Sequence, residues 1–500
     1  IKGGAMRGIE TPVREIRKKV FTEIAKFAYE QRDLEEIEDL PYELVKGELP
    51  TYRDSIYRER AVVGERIRLA MGMSLRPADK PARITKGIKQ SNIAEKYYEP
   101  PLLQVIPAAC NACKDRAFIV GGECQGCMAH PCMEVCPKNA ISFVDGYSYI
   151  DQEKCIKCGQ CQKVCPYSAI HERKRPCEVA CGVGAIETDY AGRATINPDK
   201  CVSCGMCMVN CPFGAIADKS QIYQLIKAMN EGNEVIAILA PAFVGQFGPK
   251  ATPAKVKAAL LEIGFADVWE VAVGADAGAL EEADHYAHGV ATGEVPFLLT
   301  SCCPSWSMLG KKYFPELIDQ ISNSLTPMVA TARAARQTNK NAKIVFVGPC
   351  VAKKLEASRK SVRSEVDFVI TFEELDGMFT AKDIDFSTYD KEVEMNDAFG
   401  AGRGYAVASG VAAAIEACVK EYHPGVDVKI DHVEGLAECK KMLLQAKAGK
   451  KNGYLIEGMG CPGGCVAGAG TNIPVVKAGV QVKKFVNEAE QFIPPETAKY

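Results

Sequence analysis

Sixteen of the 23 cysteines in this 500-residue chain lie between Cys110 and Cys211, and their spacing restricts the fold more than any other feature. Two runs, Cys155-x2-Cys158-x2-Cys161-x3-Cys165-Pro166 and Cys201-x2-Cys204-x2-Cys207-x3-Cys211-Pro212, have the bacterial ferredoxin pattern. In that pattern three thiolates on a tight loop hold one 4Fe-4S cubane and the fourth reaches a neighbouring cubane. A looser run, Cys124-x2-Cys127-x4-Cys132-x3-Cys136-Pro137, ends 19 residues before Cys155, a separation that suits two halves of one double-cluster module. Crossed ligation then gives one cluster Cys124, Cys127, Cys132 and Cys165, and the other Cys155, Cys158, Cys161 and Cys136.

The cysteines left over, Cys110, Cys113, Cys177 and Cys181, combine with the run at 201–211 into a second module that encloses the first. Its clusters take Cys110, Cys113, Cys177 and Cys211, and Cys201, Cys204, Cys207 and Cys181. The triplets Asn139-Ala140-Ile141, Ser168-Ala169-Ile170, Gly184-Ala185-Ile186 and Gly214-Ala215-Ile216 each begin three residues after a crossed ligand, as an internal repeat requires. Residues 106–217 therefore read as two nested ferredoxin-like α+β modules with four 4Fe-4S clusters. Zinc ribbons use C-x2-C pairs but do not account for three x3-Cys-Pro endings, and disulfides need an oxidising compartment. No basic, apolar, small-residue leader opens the sequence and no apolar stretch of about 18 residues interrupts it, so a cytoplasmic location with reduced thiols is expected.

A hydrophobic content of 47% supports more than one core, and a net charge of -2 gives no reason to expect nucleic acid or an anionic membrane as partner. Two basic clusters, Arg14, Arg17, Lys18 and Lys19, and Arg173, Lys174 and Arg175, read as solvated faces; docking of an acidic electron carrier is the sharper alternative. Residues 1–105 lack cysteine, and Thr11-Pro12 before Ile16, Val20, Ile24 and Phe27 predicts a capped amphipathic helix in a helical N-terminal segment. From 218 to 500 apolar runs alternate with helical ones, the pattern of an α/β domain with a parallel-rich sheet. Strands are expected over Val235 to Leu239, Phe297 to Leu299, Ile344 to Val347, Val366 to Ile370 and Tyr454 to Ile456. Pro241-Ala242, Cys302-Cys303, Cys350 and Cys461 follow strand ends, where open α/β sheets bind ligands.

The segments Thr300-Ser301-Cys302-Cys303-Pro304-Ser305-Trp306, Pro349-Cys350-Val351-Ala352-Lys353-Lys354-Leu355-Glu356 and Glu457-Gly458-Met459-Gly460-Cys461-Pro462-Gly463-Gly464-Cys465 resemble the three signature motifs of the iron-iron (FeFe) hydrogenases. The resemblance implies an H-cluster, a 4Fe-4S cubane joined through one cysteine sulfur to a diiron unit carrying CO, cyanide and a bridging dithiolate amine. Its implied ligands are Cys303, Cys350, Cys461 and Cys465, with Cys465 shared between the two parts. Cys302 takes the place of the proton-passing thiol, and a thiol beside a cluster can titrate near neutral pH when its surroundings lower its pKa. Lys353 is placed to donate to cyanide, and Glu356 to hold Lys353 or line the pocket. Pro241, Ala242, Met328 and Met459 fall at cofactor-binding positions.

Glu282 and Ser322 match members of the family's proton path, whereas the next acidic position is His285, whose imidazole can relay protons. Gly348, Ala242 and Met328 depart from the family's usual methionine, serine and glutamine, so fewer hydrogen bonds to the diiron ligands and a shifted potential are expected. Soft thiolates select iron-sulfur clusters, and Gly463-Gly464 can let backbone approach a bulky cofactor. Cys418 reads as core packing, Cys439 has no assigned role, and His130, His171, His288, His423 and His432 lack ligand-like spacing.

The implied function is reversible reduction of 2 H+ by 2 e- to H2. The implied partners are protons and H2, a ferredoxin or similar low-potential carrier, and maturation proteins for the diiron unit. A hydrogen-sensing or iron-sulfur assembly protein on the same fold is the alternative.

Overall fold

Thr11 starts the first long helix, α1 (Pro12–Tyr29), by accepting the Arg14 backbone N–H at 3.3 Å, which satisfies a donor the helix leaves free. The computed structural model describes residues 8–360, 362 and 364–498. Val20, Phe21, Ile24 and Phe27 of α1 are buried in one continuous core with Leu225 and Ile226, Val345 and Ile370, and Phe372, Leu375 and Met378. The N-terminal segment is thus a wall of the large α/β core. The next long helix, α2 (Ile56–Ala70), is tied to its leading loop by Glu59, whose carboxylate accepts the N–H groups of Thr51, Tyr52 and Arg53 at 2.6 to 2.8 Å.

The cysteine-rich region is built from short antiparallel pairs. β1 (Leu103–Val105) pairs with β8 (Ile216–Asp218), and between them in sequence β2 (Ala117–Val120) pairs with β5 (Ile170–Arg173). Two hairpins complete it, β3 (Ile141–Val144) with β4 (Tyr147–Ile150), and β6 (Ile186–Thr188) with β7 (Ala194–Ile196). In sequence the β1–β8 pair encloses the β2–β5 pair.

The remainder carries two parallel sheets where the sequence pointed to one. The first has the order β10 (Asp267–Glu270), β9 (Val235–Leu239), β12 (Lys343–Gly348), β13 (Phe368–Thr371). The second has the order β11 (Leu298–Leu299), β15 (Tyr454–Met459), β14 (Lys429–Glu434). All pairings within both sheets are parallel. β9 and β12 are apolar and buried, as expected of central strands covered on both faces. Among the described residues no helix is long and apolar enough to cross a membrane.

Candidate metal centre

The loops that follow β9 and β12 in the first sheet meet the loops that follow β11 and β15 in the second. Cys302, Cys303, Cys350, Cys461 and Cys465 all line one cavity there. Pro241, Ala242, Met328 and Met459 share its wall, and so does Cys204 from the cysteine-rich region. Each of the five thiols is partly accessible, and the area faces this cavity. Burial among apolar groups and neighbouring thiols pushes Cys350 up to about 11 and Cys465 up to about 12. Such thiols give up their protons only to a strongly binding cation or cluster.

Lys353 stands on the same wall and is buried, yet Nζ has no aligned hydrogen-bond acceptor. Glu356 Oε2 lies 2.7 Å away as an ion pair without hydrogen-bond alignment, and Thr326 fixes the other carboxylate oxygen by donating to Oε1 at 2.7 Å. Burial opposes the Lys353 charge, but Glu356 and Cys350 keep its pKa raised. Glu356 therefore holds Lys353 and does not line the cavity. A fixed ammonium with unused donors, ringed by soft thiols, suits an anionic iron-sulfur group. Among the described residues no three His, Cys, Asp or Glu side chains converge tightly enough to hold one metal ion.

Cys302 differs from the sequence expectation. Burial, then the Glu282 carboxylate and the neighbouring thiols, drive its pKa well above the ordinary thiol value, so this thiol holds its proton. Glu282 is buried behind it, and burial raises its carboxyl to about 7, opposed by the Ser322 hydroxyl and the Ser301 backbone N–H. Ser322 also lines a cavity of about 560 Å³ whose wall includes His285, Asp319 and Glu294. His285 is exposed there, and its Nδ1 lies 3.4 Å from the Ser324 hydroxyl, whose own backbone N–H donates to Ser322 Oγ at 3.3 Å.

In the third loop Gly464 lines the cavity next to Cys465, and its backbone makes a further demand for glycine. Gly464 has φ of +85°, and a Cβ there would stand 2.5 Å from the Ala408 backbone nitrogen. The smallness is needed for packing against the 407–408 backbone and for the left-handed turn. Sequence reasoning missed Tyr405, a buried residue on the cavity wall whose hydroxyl lacks a partner; a lone tyrosine in a glycine-rich stretch carries no spacing signal. Cys418 and Cys439 are packed in apolar cores.

The sixteen cysteines of the first region also gather in space. Cys124, Cys127, Cys132 and Cys165 line one small cavity, and Cys110, Cys113, Cys177 and Cys211 line another. Cys161 is influenced by Cys155 and Cys158, and packs in one cluster with Cys136. Cys207 is influenced by Cys204, Cys201 and Cys181. The basic clusters are only partly solvated faces: Arg17 and Arg175 are buried, the latter bonded to the Cys113 carbonyl at 2.7 Å and Asp115 at 2.7 Å.

Residues 233–469 match the family described as the iron only hydrogenase large subunit, C-terminal domain, and residues 148–171 and 194–217 match the 4Fe-4S binding domain. This is an FeFe hydrogenase-like protein. It is similar to the periplasmic [Fe] hydrogenase large subunit of Nitratidesulfovibrio vulgaris, at 29% identity over 64% of this chain and 85% of that one. Iron hydrogenase 1 of Clostridium pasteurianum is also 29% identical, over 67% of each chain. A solved structure of a variant of apo [FeFe]-hydrogenase HydA1 from Chlamydomonas reinhardtii aligns with 52% of this chain and 86% of its own, at 21% identity and a TM-score of 0.43. The FeFe hydrogenase-like protein thus joins ferredoxin-like 4Fe-4S domains to an α/β catalytic domain, and its class is that of a hydrogenase enzyme.

Proposed function

We propose that the protein catalyses reversible reduction of protons to H2 at an H-cluster in the 218–500 domain, with electrons relayed through four 4Fe-4S clusters in the 106–217 domain. The 1–105 segment buttresses both. The observation that carries this reading is the convergence of Cys303, Cys350, Cys461 and Cys465 on one cavity beside the buried Lys353 ammonium, which is paired with Glu356 but has no aligned hydrogen-bond acceptor. When bound, the H-cluster, with its CO, cyanide and dithiolate bridge, supplies the redox and dihydrogen chemistry.

The chain's own residues supply position, charge and protons. Cys303, Cys350, Cys461 and Cys465 are the ligands, and Lys353, braced by Glu356, offers its Nζ donors to an anionic ligand. Pro241, Ala242, Met328 and Met459 give the apolar walls that exclude water, which strengthens the Lys353 charge inside. Cys302 Sγ holds the proton nearest the cavity, and Glu282 replenishes it through a carboxyl that titrates near neutrality. Ser322 Oγ joins Glu282 to the open cavity, where His285 collects protons from water. The location of Cys204 on the catalytic wall supports its module as the last station for electrons.

Protons and H2 are the substrates; a ferredoxin or similar low-potential carrier is the proposed donor, maturation proteins supply the diiron unit, and the location is cytoplasmic. After maturation, infrared bands of CO and cyanide together with H2 evolution from a reduced low-potential donor are expected. Intact bands with no turnover instead favour hydrogen sensing, and absence of both favours an iron-sulfur assembly role.

A further inference from the structure

A second large cavity, of about 470 Å³, lies between α1, α2 and the loop after Cys211. Four arginines line it, Arg14, Arg17, Arg53 and Arg66, against a single carboxylate, Glu373. Glu373 is committed to Arg17, whose Nη2 lies 2.6 Å from Oε2. Asp218 is 3.8 Å from Arg17 but is held by Lys354 at 2.7 Å. Arg53 is spent on the carbonyls of Ala109 and Phe213, at 2.7 and 2.9 Å, and Arg66 Nη2 on the carbonyl of Gly214.

What remains unsatisfied is all donor. Arg14 Nη1, Arg17 Nε and Arg66 Nε are buried without a hydrogen-bond acceptor, although Arg14 Nη1 has the exposed Glu10 carboxylate at 3.4 Å. Arg66 is 5% exposed and Arg17 is 9% exposed. Burying several guanidinium groups with so few counter-charges is costly unless an anion completes them; burial and the proximity of Arg17 accordingly lower Arg66 to about 10. Cys211, a ligand of the neighbouring 4Fe-4S site, is on this wall and acts on Arg66 from there, but the other ligands of that site, Cys110, Cys113 and Cys177, line a separate cavity beside Arg175, which leaves the space between Arg14, Arg17 and Arg66 without an anion of its own.

We propose that this cavity binds a small organic anion bearing a phosphate group, held by Arg14, Arg17 and Arg66. Each free guanidinium N–H can make a charge-assisted hydrogen bond to a phosphate oxygen. The space lies within the usual range of about 300–1,000 Å³ for a small-molecule site, larger than a bare oxyanion needs. Tyr52, Phe213 and Met208 on the wall provide contact for an apolar or planar body.

The test is calorimetric titration of the protein with its iron-sulfur clusters reconstituted, at low ionic strength, using adenosine diphosphate and inorganic phosphate as probes. One saturable site is expected for both, with adenosine diphosphate tighter. Arg14→Gln should weaken binding by about tenfold, the loss of one charge-assisted hydrogen bond. Glu373→Gln should tighten it by removing the competing carboxylate, an opposite sign that simple misfolding cannot produce. Absence of saturable heat with both probes, or equal affinity in wild type and Arg14→Gln, overturns the proposal.

Discussion

The inner and outer cysteine runs are alike in sequence and opposite in setting. Cys158, in the inner run, is exposed, and Met128, Tyr149, Ile156 and Tyr167 of the same inner module are exposed apolar side chains. The corresponding Cys204 of the outer run is on the wall of the catalytic cavity, and burial pushes its thiol up to about 12. Identical ligand spacing therefore fixes what a loop can hold, while the surrounding packing decides whether it meets solvent or the reacting site.

That contrast makes the buried run intolerant of change. Cys207→Ala is expected to abolish H2 evolution with every donor, measured beside iron content, since its thiol belongs to the set nearest the cavity. On the proton side, Glu282→Gln should cost about 10²–10⁴-fold in turnover with the infrared bands and iron content retained; unchanged turnover would remove Glu282 from the path. Lys353→Met leaves Glu356 buried without its counter-charge, so denaturant unfolding should show a loss of about 3 kcal/mol. The double variant with Glu356→Gln should regain stability but not cofactor retention.

Smaller effects sharpen the comparison further. The Glu282 carboxyl titrates near 7 in the folded protein against an ordinary 4.5. The native form therefore binds this proton more tightly than the unfolded chain, and stability falls as pH rises from about 4.5 to 7, by on the order of 3 kcal/mol. Glu282→Gln should flatten that slope in melts taken across the window. Least affected should be Cys158→Ala assayed with a small reduced dye, because a dye can bypass the exposed run; a protein donor should lose rate. Equal losses with dye and protein donor would erase the distinction between the runs.

The sequence disclosed the parts with rigid local rules. Ligand spacing, the Thr11 cap and the apolar runs at β9, β12 and β15 are set by neighbours along the chain, and the structure contains them. β10 (Asp267–Glu270) and β14 (Lys429–Glu434) were missed because they are sheet edges, where polar residues such as Asp267, Lys429 and Asp431 break the apolar signal. Missing two edges also hid the division into two sheets. Arg17 and Arg175 looked like surface charge because a basic cluster does not reveal which carboxylates and carbonyls fold back onto it. The direction of the Cys302 shift depends on burial beside Glu282, which a separation of 20 residues conceals.

Helix α1 presses its apolar face onto a core completed by Phe372 and Leu375, and Arg17 finds Glu373 across 356 residues of chain. At about 5–20 residues per second on the ribosome, that face waits roughly 20–70 s for its partners. α1 is made well before the segment that completes its shelter, so part of its apolar face stays open until translation passes residue 380.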